Sequence, residues 1–344
     1  MLAMSESVRP PDSPIAGEPR IAVIVPAYGV AHLVGEALAS LQAQTFPHWE
    51  CVVIDDGAPD DVAGAVTPFL VDSRIRFLRT DNGGVAVARN RAIASCTAPL
   101  LTMLDGDDRL RPDYLTTLVP LMERHPDITI ASCQARLFGA VTGEHFCFPT
   151  PQVEGSLAHV LDRSFRIYIG SMFRRIDWER VGGFDPAFGV CEDFDLWVRL
   201  LLNGGRACHV DQVLADYRVR PGSASADSLR MMRGNLQVYE KAQRLLAPAD
   251  PEQALLRSLI TATQEAIAFE QAIDQVINGD RRRGLSELAE FPQHPRGPVW
   301  RASFLLWRLA PALARPMLRW RRRRHSRGYQ PRNLAYLLHR RRAA

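Results

Sequence analysis

Three aspartates, Asp105, Asp107 and Asp108, stand within four positions after the apolar run APLLTML (98–104). At an effective dielectric constant near 20, two ionised carboxylates about 4 Å apart repel each other by about 4 kcal/mol. A proton, an arginine or a divalent cation would offset this repulsion. Mg²⁺ and Mn²⁺ bind one or two carboxylates together with substrate phosphates. The stretch LTMLDGDD therefore predicts either a cation site that also holds a diphosphate, or a solvated Asp-Gly turn.

The apolar run before these aspartates is one of four that alternate with helical stretches. Continuously apolar strands separated by helices predict a parallel, Rossmann-like sheet covered by helices on both faces, an α/β fold. Ligands of such sheets bind beyond the carboxyl ends of the strands, where Asp55, Asp56 and the three aspartates lie. The four runs are IAVIV (21–25), which Pro26 is expected to end, CVVID (51–55), RIRFL (74–78) and APLLTML (98–104).

The second half of the chain has a different pattern. A helix is predicted from about Glu192, after a glycine-rich loop, and RACHV and VLADYRV read as two short strands. Residues 134–150 favour a hairpin or an irregular β excursion, and 226–290 favour helices with few breaks. The predicted organisation is a disordered leader (1–19), an α/β domain in two halves (20–110 and 111–225), a helical extension (226–297) and a basic amphipathic tail (298–344).

Composition and charge limit the class of protein. Hydrophobic residues make up 47% and charged residues 23%, as in soluble globular proteins. Of the 42 basic residues, 14 arginines lie in 291–344, which has no acidic residue, so 1–290 carries 28 basic against 38 acidic residues, a net charge of −10. An acidic body with a basic tail is therefore predicted.

The chain gives few targeting or redox signals. The N-terminus lacks the apolar segment of a secretory signal, and no run of about 18 apolar residues predicts a spanning helix. The six cysteines are scattered without a C-x-x-C pair, which favours reduced thiols in a cytosolic protein.

The tail PVWRASFLLWRLAPALARPMLRWRRRRHSRG (298–328) combines arginines with tryptophans and leucines. Arg301, Arg308 and Arg315 are seven residues apart, with Arg319 four further on, so one helix would carry them on a shared face. Such a helix fits the surface of an anionic membrane, which we expect 298–324 to contact.

Further residues of the tail bear on this interpretation. Four consecutive arginines, 321–324, would add about 1 kcal/mol per charge at a negative membrane, and Pro311 and Pro316 would kink the helix. The alternative is a C-terminal helix packed on the catalytic domain with a solvated arginine face. Nucleic acid is not expected as a partner, because the apolar face is wider than an RNA-binding arm needs.

Seven motifs follow one another at sensible spacing and together are specific, although each alone is weak. In this order they resemble the family 2 glycosyltransferases, which are inverting nucleotide-sugar enzymes of GT-A fold, over about residues 20–225. The motifs are IVPAYGV, CVVIDDGAPD, DNGGVAVARNRAI, LTMLDGDD, VGGFD, CEDFDLWVRL and YRVRPGSAS.

The resemblance implies a binding site for the donor base. Pro26 and Tyr28 are expected to border the nucleobase, and Asp56, together with Asp55, to accept a hydrogen bond from it. A pyrimidine offers an N–H group that a carboxylate can accept. The alternative for both aspartates is an Asx-type turn with helix capping.

The resemblance also implies where the diphosphate and the cation bind. Arg89 is expected near the diphosphate, beside the helix N-terminus that follows Gly83-Gly84 and favours anions; Arg91 is the alternative. Asp105 is expected to contact the ribose or sugar, and Asp107 to ligate Mg²⁺ or Mn²⁺, which would stabilise the leaving diphosphate as a Lewis acid. Asp108 would support the others or cap a helix.

On the acceptor side, the resemblance makes Asp193 the general base that takes the proton of the acceptor hydroxyl, which it must reach at about 3 Å. Gly183, Phe184, Asp185 and Glu192 are expected to line this side. The alternative for the carboxylates that begin this helix is that they complement the helix dipole.

The sequence departs from the family pattern at two positions. Arg220 stands where a histidine is expected in Y-R-x-H, and Gly29 stands where an asparagine is expected. An arginine can hold phosphate by charge but cannot ligate a metal at neutral pH, which puts a metal-binding role of position 220 in doubt.

The expected function is inverting transfer of a sugar from a UDP- or dTDP-type donor to a hydroxyl of a glycan or lipid-linked acceptor. Envelope polysaccharide or glycolipid synthesis, at a cytosol-facing peripheral membrane position, would suit such an enzyme. A sugar nucleotidyltransferase would need a basic glycine-rich loop after the first strand, which VPAYGVAH lacks, and G-x-G-x-x-G is absent. A non-catalytic scaffold would have lost Asp105, Asp107 or Asp193, all of which are present.

Overall fold

The first half of the chain forms the parallel part of a sheet. The computed structural model of the protein describes residues 17–141, 145–146, 154–220, 223, 227–291 and 298–326. The first four strands run side by side in the order β3-β2-β1-β4, and every neighbouring pair is parallel. They are β1 (Ile21–Ala27), β2 (Trp49–Asp56), β3 (Ile75–Thr80) and β4 (Leu100–Met103).

Helices cover this part of the sheet as the sequence predicts. In the first of them, the residues buried against the sheet recur at three- and four-residue spacing. The second is short because Pro68 follows it in a 3₁₀ turn, and the side chain of Asp61 caps its N-terminus through Gly64 N (2.9 Å). These helices are α1 (Ala31–Gln42), α2 (Val62–Val66) and α3 (Val85–Ala94).

The expectation that Pro26 ends β1 is wrong, because the strand continues through it to Ala27. Ile24 offers its carbonyl to Leu104 N (2.9 Å) on the side of β4. Pro26 faces the same side two residues later, beyond the last residue pair that β1 forms with β4. Its missing N–H group therefore leaves no ladder hydrogen bond unmade.

Beyond β4 the sheet is mixed. An antiparallel strand, β9, enters between β4 and β6, and the full order is β3-β2-β1-β4-β9-β6-β10-β5. The α/β expectation is confirmed, but among the described strands beyond β4 parallel pairing is limited to β6 and β10. The strands are β5 (Arg109–Leu110), β6 (Ile130–Gly139), β7 (His145–Phe146), β8 (Glu154–Gly155), β9 (Met172–Arg174) and β10 (Ala207–Val219).

The strand β10 corrects a second expectation. RACHV and VLADYRV, predicted as two strands, form this one strand, whose register against β6 shifts between Val210 and Ala215. A bulge of this kind bends a strand without ending it, which explains the apparent break in the sequence. The hairpin predicted for 134–150 corresponds to the antiparallel pair of β6 and β7; 142–144 and 147–153 lie outside the described residues.

Helices dominate the rest of the chain, as predicted. The helical extension follows the sheet, and its longest helix continues into a second, smaller hydrophobic core that includes Val276, Trp307 and Leu318. The helices are α4 (Tyr114–Arg124), α5 (Leu157–Leu161), α6 (Arg175–Arg180), α7 (Glu192–Leu202), α8 (Ser228–Leu245), α9 (Glu252–Asn278), α10 (Arg281–Ala289), α11 (Pro298–Leu309) and α12 (Ala314–Ser326).

The tail is not one helix, so the expected single arginine face is wrong. A 3₁₀ turn beginning at Pro311 separates α11 from α12. Arg315 donates to the carbonyls of Val276 (3.2 Å) and Gly279 (3.1 Å), and Arg319 to that of Ile277 (3.3 Å). Both guanidinium groups thus bind unpaired carbonyls at the C-terminus of α9, where the helix dipole favours cations.

Several predictions fall wholly or partly outside the described residues. These are most of the leader (1–16), Cys147 and the end of the tail (327–344). The other five cysteines are buried free thiols. The domain boundaries stay predictions. Within the described ranges, no helix combines the length and apolar character needed to cross a bilayer.

Glu50 ties the middle of the sheet to the connection before β4. It lies in β2 and is buried, and its Oε1 accepts hydrogen bonds from Thr97 N (2.8 Å) and Ala98 N (2.9 Å). Its Oε2 accepts one from Arg76 (2.7 Å). One carboxylate therefore satisfies two backbone donors and a guanidinium group in the interior.

We expect Glu50→Ala to lower the free energy of unfolding by about 3 kcal/mol, because these buried donors lose their acceptor. Urea denaturation would measure the change. The matched control is Glu123→Ala, which removes an ion pair with Arg20 whose side chains are 35% and 52% exposed, and should cost less than about 1 kcal/mol. Equal losses in the two variants would contradict this role of Glu50.

Candidate active site

A buried arginine joins the end of β4 to the start of α7. Arg89, in α3, is 3% exposed and donates to Asp105 Oδ1 (2.8 Å) and to Glu192 Oε1 (2.5 Å). Burial alone would lower the pKa of Arg89, but the carboxylates of Asp105, Glu192 and Asp193 raise it above its usual range. Arg89 is therefore a permanent cation, and it holds carboxylates from two distant parts of the sequence together.

The first turn of α7 carries Glu192, Asp193 and Asp195, which differ in their partners. Burial raises the pKa of Glu192, which Arg89 opposes. Asp195 is buried and paired with Arg199 (2.6 Å), so it has a structural role. Asp193 is half-buried, accepts a hydrogen bond from Phe194 N (2.8 Å), and is the one of the three without an ion pair to a described residue. Its carboxylate is thus the one available to a substrate.

The residue before this turn is held in an uncommon backbone conformation. Cys191 is the N-cap of α7 and has φ of 63°, in the left-handed region that residues other than glycine rarely occupy. Such conformations persist where the surrounding structure enforces them, and they cluster at functional sites. The conformation of Cys191 fixes the point where Glu192 and Asp193 leave the loop.

The aspartates after β4 are compensated one by one. Arg220 donates to Asp107 Oδ2 (2.6 Å). Asp108 is buried and accepts hydrogen bonds from Arg218 N (2.7 Å) and Tyr168 Oη (3.1 Å), so it supports the turn, as expected. Burial raises the pKa of both Asp107 and Asp108, and the neighbouring aspartates raise it further. The crowding therefore costs free energy that a bound cation would offset.

The oxygen donors of this turn fit Mg²⁺ or Mn²⁺ held jointly with a diphosphate. Asp105 and Asp107 present carboxylates, the ligands these hard cations prefer, and such sites use one or two carboxylates plus phosphate oxygens. In the described part of the chain, no group of three or more His, Cys, Asp or Glu side chains is arranged to hold a metal. The protein alone thus offers part of a coordination sphere.

The carboxylates at the end of β2 are bound to backbone groups. Asp56 accepts hydrogen bonds from Gly83 N (2.9 Å) and Gly84 N (2.8 Å), at the entry to α3. Asp55 accepts one from Ala58 N (2.7 Å) and pairs with Arg79 (3.0 Å), which agrees with the turn predicted as its alternative role. Both are buried, Asp55 fully, whereas Asp56 keeps 4% exposure, so Asp56 is the one of the two that a nucleobase could contact.

The loop after β1 is positioned by a residue that the sequence did not single out. Asp60 accepts hydrogen bonds from Gly29 N (3.0 Å) and Ala31 N (2.7 Å), and so fixes the loop that carries Tyr28. Tyr28 is 53% exposed, and Pro26 lies just before it at the end of β1. Asp60 belongs to a polar turn, DDGAPDD, and nothing in its local sequence indicates a partner about thirty residues away.

The VGGFD loop is fastened to α3. Asn90 donates to the carbonyl of Phe184 (2.7 Å) and accepts from its N–H (2.9 Å). Phe184 is fully buried, with the Arg89 guanidinium 5.5 Å from its ring centroid, so its side chain supports the site from below rather than lining it. Gly183 has φ of 77°, and a Cβ there would lie 2.9 Å from Asn90 Oδ1, so the loop requires glycine.

A lysine connects the same loop to the helical extension. Lys241, in α8, lies 2.7 Å from both Asp185 Oδ2 and Asp195 Oδ1. Burial would raise the pKa of Asp185, but hydrogen bonds from Lys241 and Ala187 N lower it below its usual range. Sequence reasoning missed Lys241, since it lies beyond the last of the seven motifs and about fifty residues from the carboxylates it contacts.

The structure thus brings most of the expected site residues together. Arg89 contacts Asp105 and Glu192, and so places Asp193, the residue after Glu192, near the aspartate turn; Asn90 links the VGGFD loop to the same helix. Arg91, the alternative to Arg89, instead donates to the carbonyl of Asp81 (3.1 Å). Asp56 connects the residues expected at the nucleobase with the rest of the site, because it binds the backbone at the N-terminus of α3. The roles assigned to these residues stay predictions.

Similarity to known proteins agrees with this arrangement. The profile of "Glycosyl transferase family 2" matches residues 22–177, and that of "Glycosyl transferase family group 2" matches residues 100–320, more than half of the chain. A putative teichuronic acid biosynthesis glycosyltransferase, TuaG of Bacillus subtilis, is 27% identical over 66% of this chain and 90% of its own length. For several other curated relatives, the chain spans less than two thirds of their length.

Solved structures show the same fold. S. aureus TarS 1–349 in complex with UDP-GlcNAc superposes with a TM-score of 0.61 at 17% identity, covering 79% of this chain and 80% of that one. The mannosyltransferase PcManGT from Pyrobaculum calidifontis, in complex with GDP-Man and Mn²⁺, gives 0.58 at 20% identity, covering 97% and 88%. The expected GT-A fold is confirmed, and the chain belongs to the family 2 glycosyltransferases.

Proposed function

We propose that the protein transfers a glycosyl group from a nucleoside-diphosphate sugar to an acceptor hydroxyl, with inversion at the anomeric carbon. The observation that carries this proposal is the contact of Arg89 with both Asp105 and Glu192, which brings the aspartate turn next to Asp193. The proposed cation-and-diphosphate site and a carboxylate without an ion pair to a described residue then lie side by side. A non-catalytic scaffold would not need to keep Asp193 without an ion pair at this place.

The donor is held at the carboxyl ends of β1 and β2. Tyr28 and Pro26 border the base and Asp56 accepts its N–H group, which favours a pyrimidine donor of UDP or dTDP type. Arg89 and the N-terminus of α3 attract the diphosphate. TarS, with UDP-GlcNAc, and PcManGT, with GDP-Man, support a nucleotide sugar as the class of donor.

In the reaction, Asp193 accepts the proton of the acceptor hydroxyl, and the oxygen forms a bond to the anomeric carbon. The bond from that carbon to the diphosphate oxygen breaks on the opposite face, and its electron pair stays on the diphosphate. Arg89 stabilises the charge that develops there. When bound by Asp107 beside Asp105, Mg²⁺ or Mn²⁺ supplies Lewis-acid stabilisation of the same leaving group.

The outer face of the tail supports a membrane-bound acceptor. Helix α11 buries Trp307 against the small core, yet large apolar side chains also point outward, and a helix that is apolar all round is typical of burial or of lipid contact. The exposed fractions are 60% for Leu305, 40% for Leu306, 80% for Leu309, 43% for Leu313 and 61% for Trp320.

We therefore propose that this face rests on an anionic membrane. The arginine-rich sequence of 298–324 complements negative lipid headgroups. A peripheral, cytosol-facing position would bring a glycan or lipid-linked acceptor of envelope polysaccharide or glycolipid synthesis to Asp193.

We expect Asp193→Asn to lower kcat by about 10²–10⁴, because the acceptor proton loses its base, while the affinity for the nucleotide sugar is retained. Steady-state kinetics together with calorimetry would separate the two quantities. Asp211→Asn, at an exposed position of β10, is the matched control. A parallel loss of donor affinity in Asp193→Asn would assign the residue to donor binding instead.

Asp107→Ala is expected to weaken the Mn²⁺-dependent part of nucleotide binding by at least about tenfold, since it removes the proposed metal ligand. Calorimetry with UDP, GDP and dTDP, each in Mn²⁺ and in EDTA, would measure this part directly. If the difference in nucleotide affinity between Mn²⁺ and EDTA is the same in the variant as in wild type, Asp107 is not a ligand of the cation.

The double variant Leu305→Gln/Leu309→Gln is expected to bind vesicles containing phosphatidylglycerol at least about tenfold more weakly, since two exposed apolar side chains are lost from the proposed lipid contact. Flotation of the full chain would measure the bound fraction. Val71→Gln/Ile176→Gln, at exposed apolar positions outside the tail, should bind as wild type does. Equal binding by both double variants would refute the membrane contact.

A further inference from the structure

The proposed metal ligand, Asp107, already has a cationic partner. The distance between Arg220 Nε and Asp107 Oδ2 is 2.6 Å, with the aspartate side chain 17% and the arginine side chain 34% exposed. A guanidinium group stays protonated in proteins and has no acceptor atom, so it neutralises Asp107 without being able to ligate a metal. A divalent cation and Arg220 therefore compete for one carboxylate.

Arg220 is held close to the turn whether or not it contacts Asp107. It follows directly after β10, whose last residues are fastened to the aspartate turn by Arg218. The backbone N–H of Arg218 donates to Asp108 Oδ1 (2.7 Å), and its Nε to the carbonyl of Asp107 (2.7 Å). A side chain displaced from Asp107 thus remains within reach of any anion bound there.

The rest of the turn offers a cation few further ligands. Asp105 is paired with Arg89, and the described residues include no third acidic, histidine or cysteine ligand at this position. Binding a cation without nucleotide would therefore break an ion pair and supply few ligands in return. A diphosphate changes this balance, because its oxygens complete the coordination sphere and give Arg220 a new anionic partner.

We propose that Arg220 exchanges partners during donor binding: it holds Asp107 in the free protein, and moves to the donor diphosphate when Asp107 is taken by the cation. Cation and nucleotide binding are thereby strongly coupled, and the cation alone binds weakly. This inference rests on the proposed function, since the new partner of Arg220 is the diphosphate of the donor.

The first half of the exchange is that Arg220 holds Asp107 in the free protein. Electron paramagnetic resonance of Mn²⁺ tests it without nucleotide or turnover. We expect Arg220→Met to bind Mn²⁺ alone about fivefold or more tightly than wild type, because the competing cation is gone. Arg220→Lys keeps the charge and should stay close to wild type. Arg136→Met, which removes an arginine paired with Asp216 outside the site, should leave the affinity for Mn²⁺ unchanged.

The second half of the exchange is the contact of Arg220 with the donor diphosphate. Calorimetry with UDP at saturating Mn²⁺ tests it, and GDP or dTDP replaces UDP if wild type prefers one of them. We expect Arg220→Met to bind the nucleotide about tenfold more weakly, as its diphosphate contact is lost. The same variant would thus gain affinity for one ligand and lose it for the other. A general loss of folding cannot produce such opposite changes, and Arg220→Gln repeats the test with a polar side chain.

The outcomes separate this inference from the proposed function. If wild type and Arg220→Met bind Mn²⁺ alone with the same affinity, or if the variant binds the nucleotide as tightly as wild type, the exchange is refuted while the proposed function stands. If wild type binds no nucleoside diphosphate in the presence of Mn²⁺, the proposed function and the second half of the exchange fail together.

Discussion

The site is organised around a buried cation, the guanidinium group of Arg89. The Arg89 side chain is 3% exposed, and burying a charge to this extent costs free energy unless carboxylates pair with it. Asp105 and Glu192 provide these carboxylates. These two residues come from the end of β4 and the start of α7, which lie before and after β9 in the sequence. The requirement to pair Arg89 therefore holds the start of α7 against the end of β4, and with it Asp193 beside the aspartate turn.

The same reasoning accounts for the division of tasks among the acidic side chains. The carboxylates with a structural role each have two partners: Asp108 accepts hydrogen bonds from Arg218 N and Tyr168 Oη, and Asp195 pairs with Arg199 and Lys241. Asp193 lacks an ion pair among the described residues, which suits its proposed role as the general base. Pairing of neighbouring carboxylates with arginine and lysine thus allows one carboxylate of this acidic cluster to stay without a counter-charge.

The parallel half of the sheet was predictable because its signals are local. Apolar runs of β1 to β4, the helices between them and the start of α7 at Glu192 follow from the spacing of residues close in sequence. The mixed half was not predictable in this way. Strand β9 has only three residues and gains its place from partners far along the chain, and the bulge of β10 separates two runs that belong to one strand. The contacts of Asp60 and Arg220 are long-range for the same reason: each is an ordinary charged residue until the fold supplies its partner.

Lys241 is the single lysine of the chain, among 42 basic residues, and it joins α8 to two carboxylates beneath the site. The boundary near residue 225 separates two patterns of sequence, but it does not separate two independent physical units. An excised α/β segment would keep Asp195 in its interior with one counter-charge fewer and would deprive Asp185 of its cationic partner. Shortening the protein to its sheet would therefore demand a simultaneous change in the acidic residues that face Lys241.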